Sequence, residues 1–85
     1  MSFAEQFAAN LRYARTRAGI SQEELGVRAS LHRTAVGQLE RAERVPRADT
    51  VVKLAGSMGI DAGELLDSLH WTPGGTRLGS FKEEA

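Results

Sequence analysis

Cysteine is absent from this 85-residue chain, which excludes disulfides and any cysteine-based metal site. Proline occurs only at Pro46 and Pro73, and each marks a break in the pattern around it. No stretch approaches the roughly 18 consecutive apolar residues of a membrane span. The opening residues MSFAEQFAANLRYARTRAG lack a basic start followed by an unbroken apolar run, so a soluble, cytoplasmic protein is expected. Two isolated histidines, His32 and His70, supply no third ligand at suitable spacing, and neither a metal nor a cofactor is expected. No nucleophile, base and orienting acid cluster together, and the glycines form no phosphate-binding loop, which speaks against an enzyme.

An excess of either charge is also missing, with 11 Lys and Arg against 11 Asp and Glu. Nucleic-acid binders usually carry a basic excess, so the balance alone argues against one. The distribution argues the other way. Residues 1 to 47 hold eight arginines against five acids, a net +3, whereas residues 48 to 85 hold three bases against six acids, a net −3. One half is suited to meet phosphates while the other turns from them or faces a partner. At this length a monomer buries only about 60% of its unfolded surface, so a partner subunit would add needed stability.

The apolar pattern is helical throughout. Ser2 and Glu5 have the spacing of a capping box, and Phe3, Phe7, Leu11, Ala14 and Ala18 then form a stripe that stops at Gly19. Ser21 and Glu24 repeat the box before a short helix burying Leu25 and Ala29. A third helix is expected from about His32 to Arg41, burying Val36 and Leu39. Pro46 interrupts, and a fourth helix from about Arg47 to Met58 presents Val51, Leu54, Ala55 and Met58 before Gly59. Asp61 and Glu64 cap a fifth, with Leu65, Leu66 and Leu69 to bury. From Trp71 onward the composition turns to WTPGGTRLGSFKEEA, expected to be either a disordered end or an arm docking Trp71 and Phe81 on its own core or a second subunit. The reading is all-α: a compact five-helix domain over residues 1–70, then a short irregular tail over 71–85.

Helices two and three, SQEELGVRASLHRTAVGQLER, are joined by a tight break with Gly26 small enough for a close crossing, which is the layout of a helix-turn-helix. In this setting the chain resembles the Cro and phage-repressor (XRE-type) regulators. The resemblance runs from about Phe7 to Leu66 and is carried by ISQEEL, VGQLER and the following VPRADTVVKLA. It implies a sequence-specific DNA-binding transcriptional regulator that places helix three in the major groove of double-stranded DNA, as a homodimer on a two-fold operator. Arg33, Thr34 and Gln38 map to the base-reading positions, and their chemistry suits guanine, thymine and adenine edges. Gln22, His32, Arg41, Arg44 and Arg47 map to phosphate contacts, with the start of helix two aimed at the DNA backbone. Arg15 and Glu40 match a structural ion pair. Leu65, Leu69, Trp71 and Phe81 are candidates for a dimer or partner interface. Two departures stand out: Ser30 occupies a turn position usually held by glycine, and His32 replaces the usual Ser or Thr cap. The alternative reading is a protein-interaction module, an antitoxin or adaptor gripping a partner through the C-terminal helices and tail.

Overall fold

The computed structural model describes residues 1–82; the last three residues of the proposed tail lie outside them. Five helices form, α1 (Phe3–Ala18), α2 (Gln22–Ala29), α3 (Arg33–Glu40), α4 (Ala48–Met58) and α5 (Ala62–Leu65), followed by two strands, β1 (His70–Thr72) and β2 (Ser80–Lys82). Among the described residues, no helix is long and apolar enough to cross a membrane.

Helices α1, α2 and α3 each start where the side chain of the preceding residue accepts a free amide, whereas Arg47 before α4 makes no such bond. At α1 the Glu5 amide donates to Ser2 Oγ at 3.2 Å and the Ser2 amide to Glu5 Oε1 at 2.9 Å, a complete capping box. That contact holds the exposed Glu5 carboxyl below its ordinary pKa, chiefly because the ionised form accepts the Ser2 amide. At α2 the serine takes the Glu24 amide at 3.0 Å, but the Glu24 carboxylate turns instead to Arg28 at 2.8 Å. The carboxylate's choice is local: Arg28 lies one turn further on, on the same face.

Phe7, Leu11, Leu25, Val36, Leu54 and Leu65 are fully buried and draw all five helices around one core. The expected fifth helix is cut short. Asn10 of α1 donates to the carbonyls of Leu65 at 3.0 Å and Asp67 at 2.8 Å, and Ser68 then turns the chain at φ 65°. These bonds end the helix after one turn, so Leu65 enters the core, Leu69 is half-buried and Leu66 stays exposed.

Among the described residues the tail is not wholly irregular. β1 and β2 pair antiparallel, with Trp71 opposite Phe81 and Thr72 opposite Ser80. The Trp71 and Phe81 rings meet edge to face at 5.2 Å, and Phe81 lies 5.1 Å from Phe3 of α1, which fastens the hairpin to its own helix. Gly79 is what lets the indole lie flat here, since a Cβ at that position would sit 2.5 Å from the Trp71 ring.

Candidate nucleic-acid interface

The turn between α2 and α3 rests on two backbone requirements. A Cβ on Gly26 would lie 2.8 Å from the Leu31 carbonyl oxygen and 3.4 Å from Arg33 Cα, so only glycine lets the helices cross this closely. Ser30 closes α2 in the left-handed region at φ 57°, ψ 42°, a conformation that disfavours any residue with a Cβ. His32 then does the work of a cap: its Nδ1 accepts the Thr34 amide at 3.1 Å. A hydroxyl is therefore not needed at this position. The ring that accepts at Nδ1 carries its hydrogen at Nε2, leaving an exposed N–H donor near the start of α3.

α3 is oriented from below by an ionic hub. Glu40 is 3% exposed, and its carboxylate takes Arg15 Nε at 2.5 Å and Arg15 Nη2 at 3.0 Å, the fork-on-fork geometry that guanidinium and carboxylate share. Arg15 also donates to the Ile20 carbonyl at 2.9 Å, and bonding to Glu40 raises its pKa against the opposing effect of burial. Two members of this hub are not evident from sequence. Gln22 Nε2 donates to Glu40 Oε1 at 3.0 Å, and Arg12 donates to the Glu40 backbone carbonyl, closing the end of α3. Arg12 lies three residues before Arg15 on the same helix face, the one signal that could have pointed to it. Gln22 joins the hub and keeps one amide N–H beyond that bond.

The outer face of α3 and the loop after it are basic and open. Arg33 is 68% exposed, and its Nη1 donates to Glu23 of α2 at 2.9 Å. Thr34 is exposed beside it. Gln38 is half-buried and its Oε1 accepts from Arg44 at 3.3 Å, so reading an adenine with both ends of the amide would require Arg44 to let go. Arg41 lies over Gly37 and bonds Glu43 at 2.8 Å, and Arg47 pairs with Asp49 at 3.2 Å. The Arg41 contact lowers the Glu43 pKa, so this carboxylate stays ionised beside the basic loop. Thus Arg33, Thr34, Arg41, Arg44 and Arg47 are all exposed, and each of the four arginines holds an acceptor supplied by the chain itself.

The interface candidates separate by burial. Leu65 has no exposed surface and belongs to the monomer's own core, so it has no side chain to offer a partner. Trp71 and Phe81 remain 58% and 43% exposed.

Residues 11–65 match the helix-turn-helix family HTH_3. An uncharacterized HTH-type transcriptional regulator of Sinorhizobium fredii, y4dJ, is 31% identical over 77 residues, covering 91% of this chain and 100% of that protein. The control protein C.SmaI of Serratia marcescens is 36% identical over 66 residues, 78% of this chain and 79% of its own. Among solved structures, the restriction-modification controller protein C.AhdI of Aeromonas hydrophila superposes with a TM-score of 0.71 at 37% identity, over 73% of this chain and 94% of that one. The matched span holds the crossing at Gly26, the hub at Glu40 and the basic outer face of α3, and by this match the chain belongs to the Cro/C1-type (XRE) helix-turn-helix family of DNA-binding transcriptional regulators, which are not enzymes.

Proposed function

We propose that this protein is a sequence-specific regulator that lays α3 in the major groove of double-stranded DNA and binds a two-fold operator as a homodimer. The observation that carries this reading is the two-sidedness of α3. Val36, Leu39 and Glu40 are buried against the core and hub, while Arg33 and Thr34 are exposed at the helix start. The N-terminal end of such a helix is the part that reaches base edges. Arg33, Thr34 and Gln38 read; Gln22 through its remaining N–H, His32 through Nε2, and Arg41, Arg44 and Arg47 take phosphates. Dimerisation sets two such helices about 34 Å apart and doubles the contacts. Leu69, Trp71 and Phe81 are the surfaces assigned to it. Similarity to a control protein and a restriction-modification controller makes the genes of a restriction-modification system the first operators to try.

The test is selection from random DNA followed by titration of the best site at several salt concentrations. Arg33→Ala is expected to relax preference at one base pair, whereas Arg41→Ala weakens every sequence alike and flattens the slope of log affinity against log salt by about 0.9. If wild type binds all sequences equally weakly, the reading fails. A second reading, docking of a protein partner on the hairpin, is favoured by its exposed Trp71 and the almost fully exposed Leu78. Sedimentation of wild type against Trp71→Ala separates the two, because only a dimer interface changes the monomer–dimer balance in pure protein.

A further inference from the structure

We propose that Glu23 is a positioning residue for base recognition: it fixes the Arg33 guanidinium so that the Nε–Nη2 edge faces the groove. This rests on the base-reading role proposed above for Arg33. The fold sets the two side chains at one end of the motif. Glu23 lies in the first turn of α2, one turn before Gly26, and Arg33 is the first residue of α3, brought against α2 by the close crossing at Gly26.

The chemistry lies in which donors the contact uses. A guanidinium has five N–H groups, and Glu23 Oε2 takes one from Nη1 at 2.9 Å. Among the described residues, no hydrogen bond is made by Arg33 Nε or Nη2. Those two nitrogens present parallel N–H groups along one edge, the fork that matches O6 and N7 of guanine. Glu23 thus occupies the end of the guanidinium that recognition does not need and leaves the selective edge open.

The carboxylate also alters what Arg33 is attracted to. An unpaired arginine is drawn to any phosphate, whereas one neutralised by a neighbour loses much of that pull and keeps its donor pattern. In water the exposed pair is weak, at 68% exposure for both side chains. When DNA covers the site, water leaves and the pair strengthens, so its orienting effect is greatest in the complex.

The experiment measures affinity for the selected site, for each single-base-pair variant of it, and for random DNA, using wild type, Glu23→Ala, Arg33→Ala and the double variant. Arg33→Ala is expected to lose discrimination at one base pair by between about 5- and 150-fold. Glu23→Ala should lose most of that discrimination at the same base pair, with equal or tighter binding to random DNA and an unchanged thermal midpoint. The double variant should be no less selective than Arg33→Ala. Discrimination retained in Glu23→Ala, lost at a different base pair, or lost independently in the double variant would overturn the positioning role while leaving the base-reading role of Arg33 intact. Unchanged discrimination in Arg33→Ala would instead remove the base-reading role itself, and this inference with it.

Discussion

Truncating Glu40 probes the hub that holds α3 in place. Glu40→Ala removes three hydrogen-bond acceptances, two from Arg15 and one from Gln22, at a site only 3% exposed. What remains is a guanidinium whose charge has lost its partner. Breaking one half of a buried pair typically costs ~3–5 kcal/mol. Arg15 keeps 20% of its side chain exposed and its bond to Ile20, so it can recover some hydration and the lower end applies, about 3 kcal/mol. A domain of this size holds roughly 4–13 kcal/mol in total, so the loss is a large fraction. The midpoint of thermal unfolding should fall by roughly 12–24 °C, at about 4–8 °C per kcal/mol for domains of this length. Urea titration followed by circular dichroism gives the free energy directly, with the midpoint moved and the slope unchanged. A loss below about 1 kcal/mol would mean that the pair behaves as two solvated charges, and the account of the hub would be wrong. The companion variant Arg15→Met/Glu40→Leu leaves no charge stranded and should recover most of the lost stability.

Three further outcomes follow from local geometry. Gly26→Ala places a methyl 2.8 Å from the Leu31 carbonyl, and since neither is at the end of a flexible side chain the helix crossing must open; about 1–3 kcal/mol of stability should be lost in urea, with weaker DNA binding in proportion. Ser30→Gly relieves a left-handed residue at φ 57° and should raise the unfolding free energy by up to ~1 kcal/mol once the greater freedom of glycine in the unfolded chain is deducted, seen as a higher urea midpoint; a lower midpoint would refute the strain. Glu5 has a folded pKa below its unfolded value, so its stabilisation is present above the unfolded pKa and is lost as pH falls through the folded one. Glu5→Ala should therefore be less stable than wild type near neutral pH, and the gap should close in acid; a gap that persists at low pH would exclude the ionised cap as its source.

The helical frame was legible in the sequence because each of its signals is local. Ser2 with Glu5, Gly19 and Gly59 mark ends, and Phe7 to Leu11 or Val51 to Leu54 and Ala55 mark faces. The features that were not legible depend on distant partners. Asn10 decides where α5 stops, 55 residues away, and without it Leu66 and Leu69 look like two more core positions. The hairpin was missed because three-residue strands are too short to show alternation, and its pairing is fixed by Trp71, Phe81 and Phe3 meeting across the chain. His32 looked unsuited to a cap on residue type alone, yet an unprotonated ring nitrogen at the right distance accepts an amide as an oxygen does. In the site, the candidates for reading and for phosphate contact could be placed from their offsets in the motif. Their acceptors could not, because Glu23 meets Arg33 across two helices and Arg44 reaches back to Gln38 over a loop.

The chain's one tryptophan stands on the hairpin, in contact with Phe81 and outside the helical core. Its emission is therefore a private signal of the hairpin, while far-ultraviolet circular dichroism is dominated by the five helices. Two optical probes thus address two parts of a small protein without any label. If the Phe81–Phe3 contact welds the hairpin to α1, both probes trace one transition; a tryptophan signal that moves first would mark the hairpin as a unit that can detach while the reading head stays folded.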